Sequence, residues 1–315
     1  MFSGFVSSTW APLVTHTVFL LLTVAIVMVG IKDGIERFSK IMMPLLFVVV
    51  LGIAVYSLTL PGAMAGVRYL LLPDFSKITG EACAAALGQA FFSLSLGFGT
   101  IMTYASYVSK KEDMLFQSSA TAVSDLIFAL IAGMAIMPAV FAFGISPQSG
   151  PGLVFETLPY IFGQMPAGAI VAILFFAALL VAALTSSISM LEVVVAYLVE
   201  EKNFSRKWAC LVVFLVCWTI GALCSLSFGP LSRIRISGGN IFDFLDSMSS
   251  NVLMTLGSLM TVLFVGWRLK KTAVYDEFTN GGELSANVRI FGVLWFLIRY
   301  ICPVAILAIF ISGLV

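Results

Sequence analysis

Charge is what this chain has least of. Of its 315 residues, 10% are Asp, Glu, Lys or Arg, whereas a soluble domain carries about 25%. So little charge cannot clothe a water-facing surface. The few charges also nearly cancel, 17 basic against 16 acidic, so composition makes no case for nucleic-acid binding or acidic partners. Histidine is a single residue, His16, and neither a zinc site nor a His-based catalytic set can be assembled from one. No HExxH or GxSxG occurs, which argues against an intramembrane enzyme. The five cysteines (Cys83, Cys210, Cys217, Cys224 and Cys302) lie in or beside apolar runs without CxxC spacing, a pattern read as reduced thiols packed among helices. The opening stretch MFSGFVSSTWAPLVTH lacks the charged n-region of a signal peptide.

Apolar sequence is abundant, with 60% of residues hydrophobic. Segments of spanning length fall at 12–31, 40–60, 82–108, 118–146, 167–199, 206–228, 239–268 and 288–314. Each meets the requirement of about 20 apolar residues, and helix is the state that satisfies its backbone within lipid. The expectation is an all-α integral membrane protein with eight spans.

Loop charge orients it. Alternate connections hold Lys32, Arg37, Lys40, Lys110, Lys111, Lys202, Arg206, Lys207, Arg268, Lys270, Lys271 and Arg289. The other set holds only Arg68, Lys77, Arg233 and Arg235, and Arg299 falls inside the last span. Basic residues gather on the cytoplasmic side, which puts the 31–40 connection inside and both termini outside. A chain that begins outside normally follows an odd number of earlier spans, so the parity suggests that upstream helices are missing.

Ionisable residues within spans are functional candidates by default, because each costs about 2.5–3.5 kcal/mol at a helix centre. Asp125, Glu192, Asp243 and Asp246 qualify, although any of them could merely pair with a neighbouring helix. The third span reads Phe91-Phe92-Ser93-Leu94-Ser95-Leu96-Gly97-Phe98-Gly99. Its small residues suit close packing, or else a broken helix whose freed backbone faces a cavity. In the fifth span Ala182, Thr185 and Ser186 fall at i, i+3 and i+4 on one face. A carbonyl and two hydroxyls there suit a small hard cation, unless both hydroxyls bond back to the preceding turn.

The run GQAFFSLSLGFGTIMTYASYVSKKEDM, with ALTSSIS and GIERFSKIMMPLL, closely resembles the neurotransmitter:sodium symporter family, and its bacterial amino-acid branch in particular. The resemblance covers essentially the whole chain. It implies a LeuT-type inverted-repeat helical bundle, with these eight spans matching the family's helices four to eleven. Residues 1–315 would then form one transmembrane transporter domain lacking the first three helices, the odd number that parity requires. The implied function is sodium-coupled amino-acid symport by alternating access at the plasma or inner membrane, with sodium as the ion and no organic cofactor. The rival reading is a fragment that is inactive or dependent on a partner.

Carried over from that resemblance, Phe92, Ser93, Ser95 and Phe98 match the family's broken helix and would hold the amino-acid substrate, together with Ser186 and Met190. Ser93 and Asp125 fit a first sodium site, and Ala182, Thr185 and Ser186 a second. Asp246 fits the extracellular gate acid, Tyr107 and Glu200 the cytoplasmic gate, and Gln89 a glutamine near the sodium and anion region. One departure stands out. Asp125 occupies a place where many members have Asn, and Ala129 one where chloride-dependent relatives have Ser. A fixed carboxylate there would supply the negative charge that chloride supplies elsewhere.

Overall fold

The structure is a computed structural model that describes residues 2–109, 112–145, 152–236 and 238–314. Lys110 and Lys111, counted above among the basic connections, lie outside the described residues. The described backbone is helical: α1 (Phe2–Ser7), α2 (Trp10–Val29), α3 (Ile31–Leu58), α4 (Ala63–Leu71), α5 (Gly80–Ser93), α6 (Thr100–Tyr107), α7 (Met114–Ala142), α8 (Leu158–Gln164), α9 (Gly168–Glu200), α10 (Arg206–Leu226), α11 (Ile241–Arg268), α12 (Lys271–Thr279) and α13 (285–314). Among the described residues, seven helices are long and apolar enough to cross a bilayer.

The eighth expected span is present in two pieces. The 82–108 segment divides into α5 and α6, each too short to cross alone, because the chain leaves helix after Ser93 and regains it at Thr100. A second difference concerns 31–40, expected as a connection. Those residues already belong to α3, whose first turn is widened so that Ile35 N–H reaches the Gly30 carbonyl, 3.1 Å away. Gly30, at φ 112°, ends α2. No proline follows before Pro44, and Lys40 supports the helix by an i,i+4 ion pair with Glu36 at 2.6 Å. Arg206, also placed in a connection, is the first residue of α10, whose N-cap Ser205 accepts from the Trp208 amide.

The chain divides into two compact units. The first comprises residues up to Asp74 together with Ile127–Phe242, and the second Phe75–Leu126 with residues from Asp243 onward. In the first, α9 is central and packs against α2, α3, α8 and α10. Its core joins Leu46, Val50, Ile53 and Ala54 of α3 to Ala139 and Val140 of α7, Ile161 and Phe162 of α8, and Val171 and Ala178 of α9. In the second, α13 packs along α11 and against α5.

Candidate functional site

The helix break in the second unit has identifiable causes. After Ser93 the chain closes a turn through three bonds: Leu94 N–H to the Ala90 carbonyl, Ser95 to Phe92 and Leu96 to Phe91, at 3.0–3.1 Å. Ser95, Gly97 and Gly99 then take positive φ of 52°, 88° and 80°. Such values suit glycine, cost a residue with a Cβ, and stop the helical ladder. The ladder resumes where Thr103 N–H meets the Gly99 carbonyl at 2.9 Å. Gly97 is held against α11: a Cβ on it would overlap the Met254 carbonyl and crowd the Ser258 hydroxyl. Only glycine allows that approach. Within this region the hydroxyl oxygens of Thr100 and Ser258 are buried and have no hydrogen-bond partner among the described residues.

At the end of α5 the Ser93 hydroxyl stands 2.8 Å from each carboxylate oxygen of Asp125 on α7. Two residues nominated 32 positions apart for one sodium site therefore meet directly beside the break. A carboxylate and a hydroxyl oxygen are hard donors suited to a small cation.

The same unit contains an open cavity of about 850 Å³. Gln89 and Phe92 line it from α5, Asp246, Asn251 and Thr255 from α11, and Ser312 from α13. Three sequence-nominated residues (Gln89, Phe92 and Asp246) thus share one cavity. Asp246 lies two residues before a widened turn of α11, Met248–Leu253. Ser95 and Phe98 lie in the break itself, and Tyr107 closes α6.

The first unit carries the other nominees. Ala182, Thr185, Ser186 and Met190 follow one another along α9, and Glu200 is its last residue. The Thr185 hydroxyl donates to the Ala182 carbonyl at 2.8 Å, the back-bonding alternative weighed for this face. Ser186 and Met190 are exposed. Next to Ser186, the Ser187 hydroxyl meets that of Thr23 on α2 at 3.1 Å, a contact that sequence reasoning did not nominate.

It also missed the partner of Glu192. That residue is fully buried, and Arg206 reaches it from the start of α10 through a two-pronged bond, 3.2 and 2.5 Å. The Arg206 Nε–H donates to the Val27 carbonyl of α2 at 2.8 Å. One guanidinium therefore ties three helices together. The only signal available in sequence was the cost of leaving Glu192 unpaired within a span.

Long apolar helices, a discontinuous helix, and oxygen donors gathered beside its break define a multi-pass membrane transport protein. The comparisons specify the family. Residues 7–315 match the profile of the Sodium:neurotransmitter symporter family, and the chain belongs to it. Its members are sodium-dependent transporters rather than enzymes. The sodium-dependent transporter YhdH of Bacillus subtilis (strain 168) is 39% identical over 312 residues, covering 99% of this chain and 69% of its own. A sodium-dependent transporter of Haemophilus influenzae is 40% identical over 298 residues, covering 94% of this chain and 64% of its own. The crystal structure of MhsT in complex with L-phenylalanine superposes with a TM-score of 0.87 at 44% identity, over 99% of this chain and 70% of that one. The chain spans about two thirds of the length of these relatives.

Proposed function

We propose that the chain carries the greater part of a sodium-coupled amino-acid symporter, with Asp125 and Ser93 contributing to a sodium site and the α5–α6 break to the substrate site. The observation that carries this reading is the Ser93–Asp125 contact at the end of α5. It sets a carboxylate beside backbone released from helical bonding, in a family of sodium-dependent transporters. The L-phenylalanine bound in MhsT makes an amino acid the natural substrate class. Ala182, Thr185 and Ser186 are assigned to a second sodium site, Ser95, Phe98, Ser186 and Met190 to substrate, and Asp246, Tyr107 and Glu200 to gates.

The physical logic is charge. Sodium brought into a low-dielectric cavity needs negative charge close by, and Asp125 supplies it. Uptake should therefore proceed when chloride is replaced by gluconate. The test is uptake of radiolabelled amino acids into proteoliposomes under an inward sodium gradient. It is run on the chain itself and on the chain joined to the part of the B. subtilis relative that it does not match. In whichever form takes up substrate, Asp125→Asn and Ser93→Ala should raise the half-saturating sodium concentration. Unchanged sodium dependence in both variants, or uptake that already requires chloride, would refute the assignment.

A further inference from the structure

At the basic end of the second unit, where α11 runs out into Arg268, Lys270 and Lys271, lies a buried polar side chain that the transport reading does not use. Asn287, near the start of α13, is wholly buried. Its amide nitrogen donates to the Asp113 carboxylate and to the Phe278 carbonyl, each at 2.9 Å. Both partners offer only oxygen, so the nitrogen must face them and the amide cannot be turned round. Its Oδ1 is buried and has no hydrogen-bond partner among the described residues. The two donated bonds therefore decide where this side chain stands.

Each partner belongs to a well-made piece. Phe278 is in the last turn of α12, which ends at Asn280 in the left-handed region. There the Leu284 N–H reaches the Thr279 carbonyl at 3.1 Å, and the Gly282 N–H donates to the buried Thr279 hydroxyl at 3.0 Å. One turn beyond Asn287, the Phe291 ring meets Tyr275 edge-on at 5.1 Å and Phe278 at 6.0 Å between centroids. The end of α12 and the start of α13 thus form one elbow. Asp113 immediately precedes α7, and its carboxylate caps that helix by accepting from the Leu115 and Phe116 N–H groups at 2.9 and 3.1 Å. Tyr107 ends α6 a few residues earlier. Asp125 stands about three turns into α7, and no glycine or proline intervenes.

We propose that Asn287 is a positioning residue: by gripping Asp113 it fixes the junction of α6 and α7 on the elbow, and so sets where Tyr107 and Asp125 stand. The inference rests on the reading of those two residues as gate and sodium ligand. An uninterrupted helix carries a shift of Asp113 to Asp125, and an ion site tolerates little displacement of its donors.

Hydrogen–deuterium exchange of the purified chain, read by mass spectrometry, tests the grip. Asn287→Ala should quicken exchange about tenfold in peptides covering 112–118 and 278–288, the change expected for losing a charge-assisted hydrogen bond. Peptides from α9, in the first unit, should exchange as in wild type. Sodium-22 binding, to the chain or to its fusion with the unmatched part of the B. subtilis relative, tests what the grip positions. Asn287→Ala should raise the half-saturating sodium concentration about threefold and leave the amount bound at saturation unchanged. Asp113→Asn keeps an oxygen acceptor and removes its charge, so it should fall between Asn287→Ala and wild type in both measurements. Unaltered exchange in the two segments overturns the proposal, as does quickening that extends to α9, the mark of a residue with a general structural role. Local quickening with unchanged sodium affinity also overturns it. Should wild type bind no sodium in either form, the sodium-site reading fails and takes the positioning role with it, while the exchange pattern still decides the grip. Should Asn287→Ala not remain monodisperse, Asp113→Asn decides, and equality with wild type in both measurements refutes the inference.

Discussion

Truncating Arg206 should reveal how much the buried ion pair contributes to the first unit. Glu192 is fully buried, while the Arg206 side chain is 24% exposed. Removing the partner of a buried charge costs about 3–5 kcal/mol. The partial exposure of Arg206 points to the lower end, about 3 kcal/mol. Arg206→Ala also deprives the Val27 carbonyl of its donor, adding about 1 kcal/mol. At about 2 °C per kcal/mol for a chain of this size, the expected fall in Tm is about 8 °C. Glu192→Leu/Arg206→Met removes both charges and fills the space, so it should lose only the Val27 bond, about 1 kcal/mol or 2 °C. Thermal unfolding in detergent micelles reads both variants against wild type. A double variant as unstable as Arg206→Ala would refute the argument, because the penalty would then not arise from a stranded carboxylate. So would an Arg206→Ala variant within about 1 kcal/mol of wild type.

Gly97→Ala should abolish sodium-dependent binding, because a Cβ at φ 88° collides with the Met254 carbonyl; sodium-22 binding equal to wild type would show that the break tolerates it. Asp113 is held below the ordinary carboxylate range, chiefly by the Asn287 hydrogen bond and also by the amides of Phe116 and Leu115. A depressed carboxylate stabilises the fold above its ordinary pKa, and that contribution is lost as pH falls through the folded value, below about pH 4. Thermal stability followed from pH 6 to 3 should therefore decline, and Asp113→Asn should lose that part of the decline; an unaltered acid profile would count against it. Thr23→Val should leave the Ser187 hydroxyl without its interhelical partner and lower Tm by about 2 °C, a difference readable by thermal unfolding.

Much of this architecture was legible in the sequence because lipid imposes one rule, that backbone groups bond within the segment. Apolar length then locates helices almost without further information. The break was legible for a local reason: Ser95, Gly97 and Gly99 cluster where a helix former would otherwise stand. The start of α3 was not, since charge was taken as a sign of a connection while Lys40 and Glu36 satisfy each other on the helix surface. Nor was the Glu192–Arg206 pair, which joins residues 14 positions apart across a turn between helices. The Ser93–Asp125 pair was nominated by resemblance alone, because no periodicity connects residues 32 apart. Thr185 showed the limit of face arguments. A hydroxyl one turn from a carbonyl is as well placed to bond that carbonyl as to share an ion with it, and here it bonds.

Three of the intramembrane charges, Glu192, Asp125 and Arg299, differ in how they are balanced, and that difference separates scaffold from site. Glu192 meets a guanidinium of opposite sign, so its charge is settled within the protein and its role is to fasten helices. Asp125 meets only a neutral hydroxyl, and Arg299 only aromatic rings and its own backbone. Neither has a counter-ion among the described residues, yet either charge is costly in a low-dielectric setting. What balances Asp125 must be positive. Asp125 calls for a cation beside the broken helix, where transport would need it.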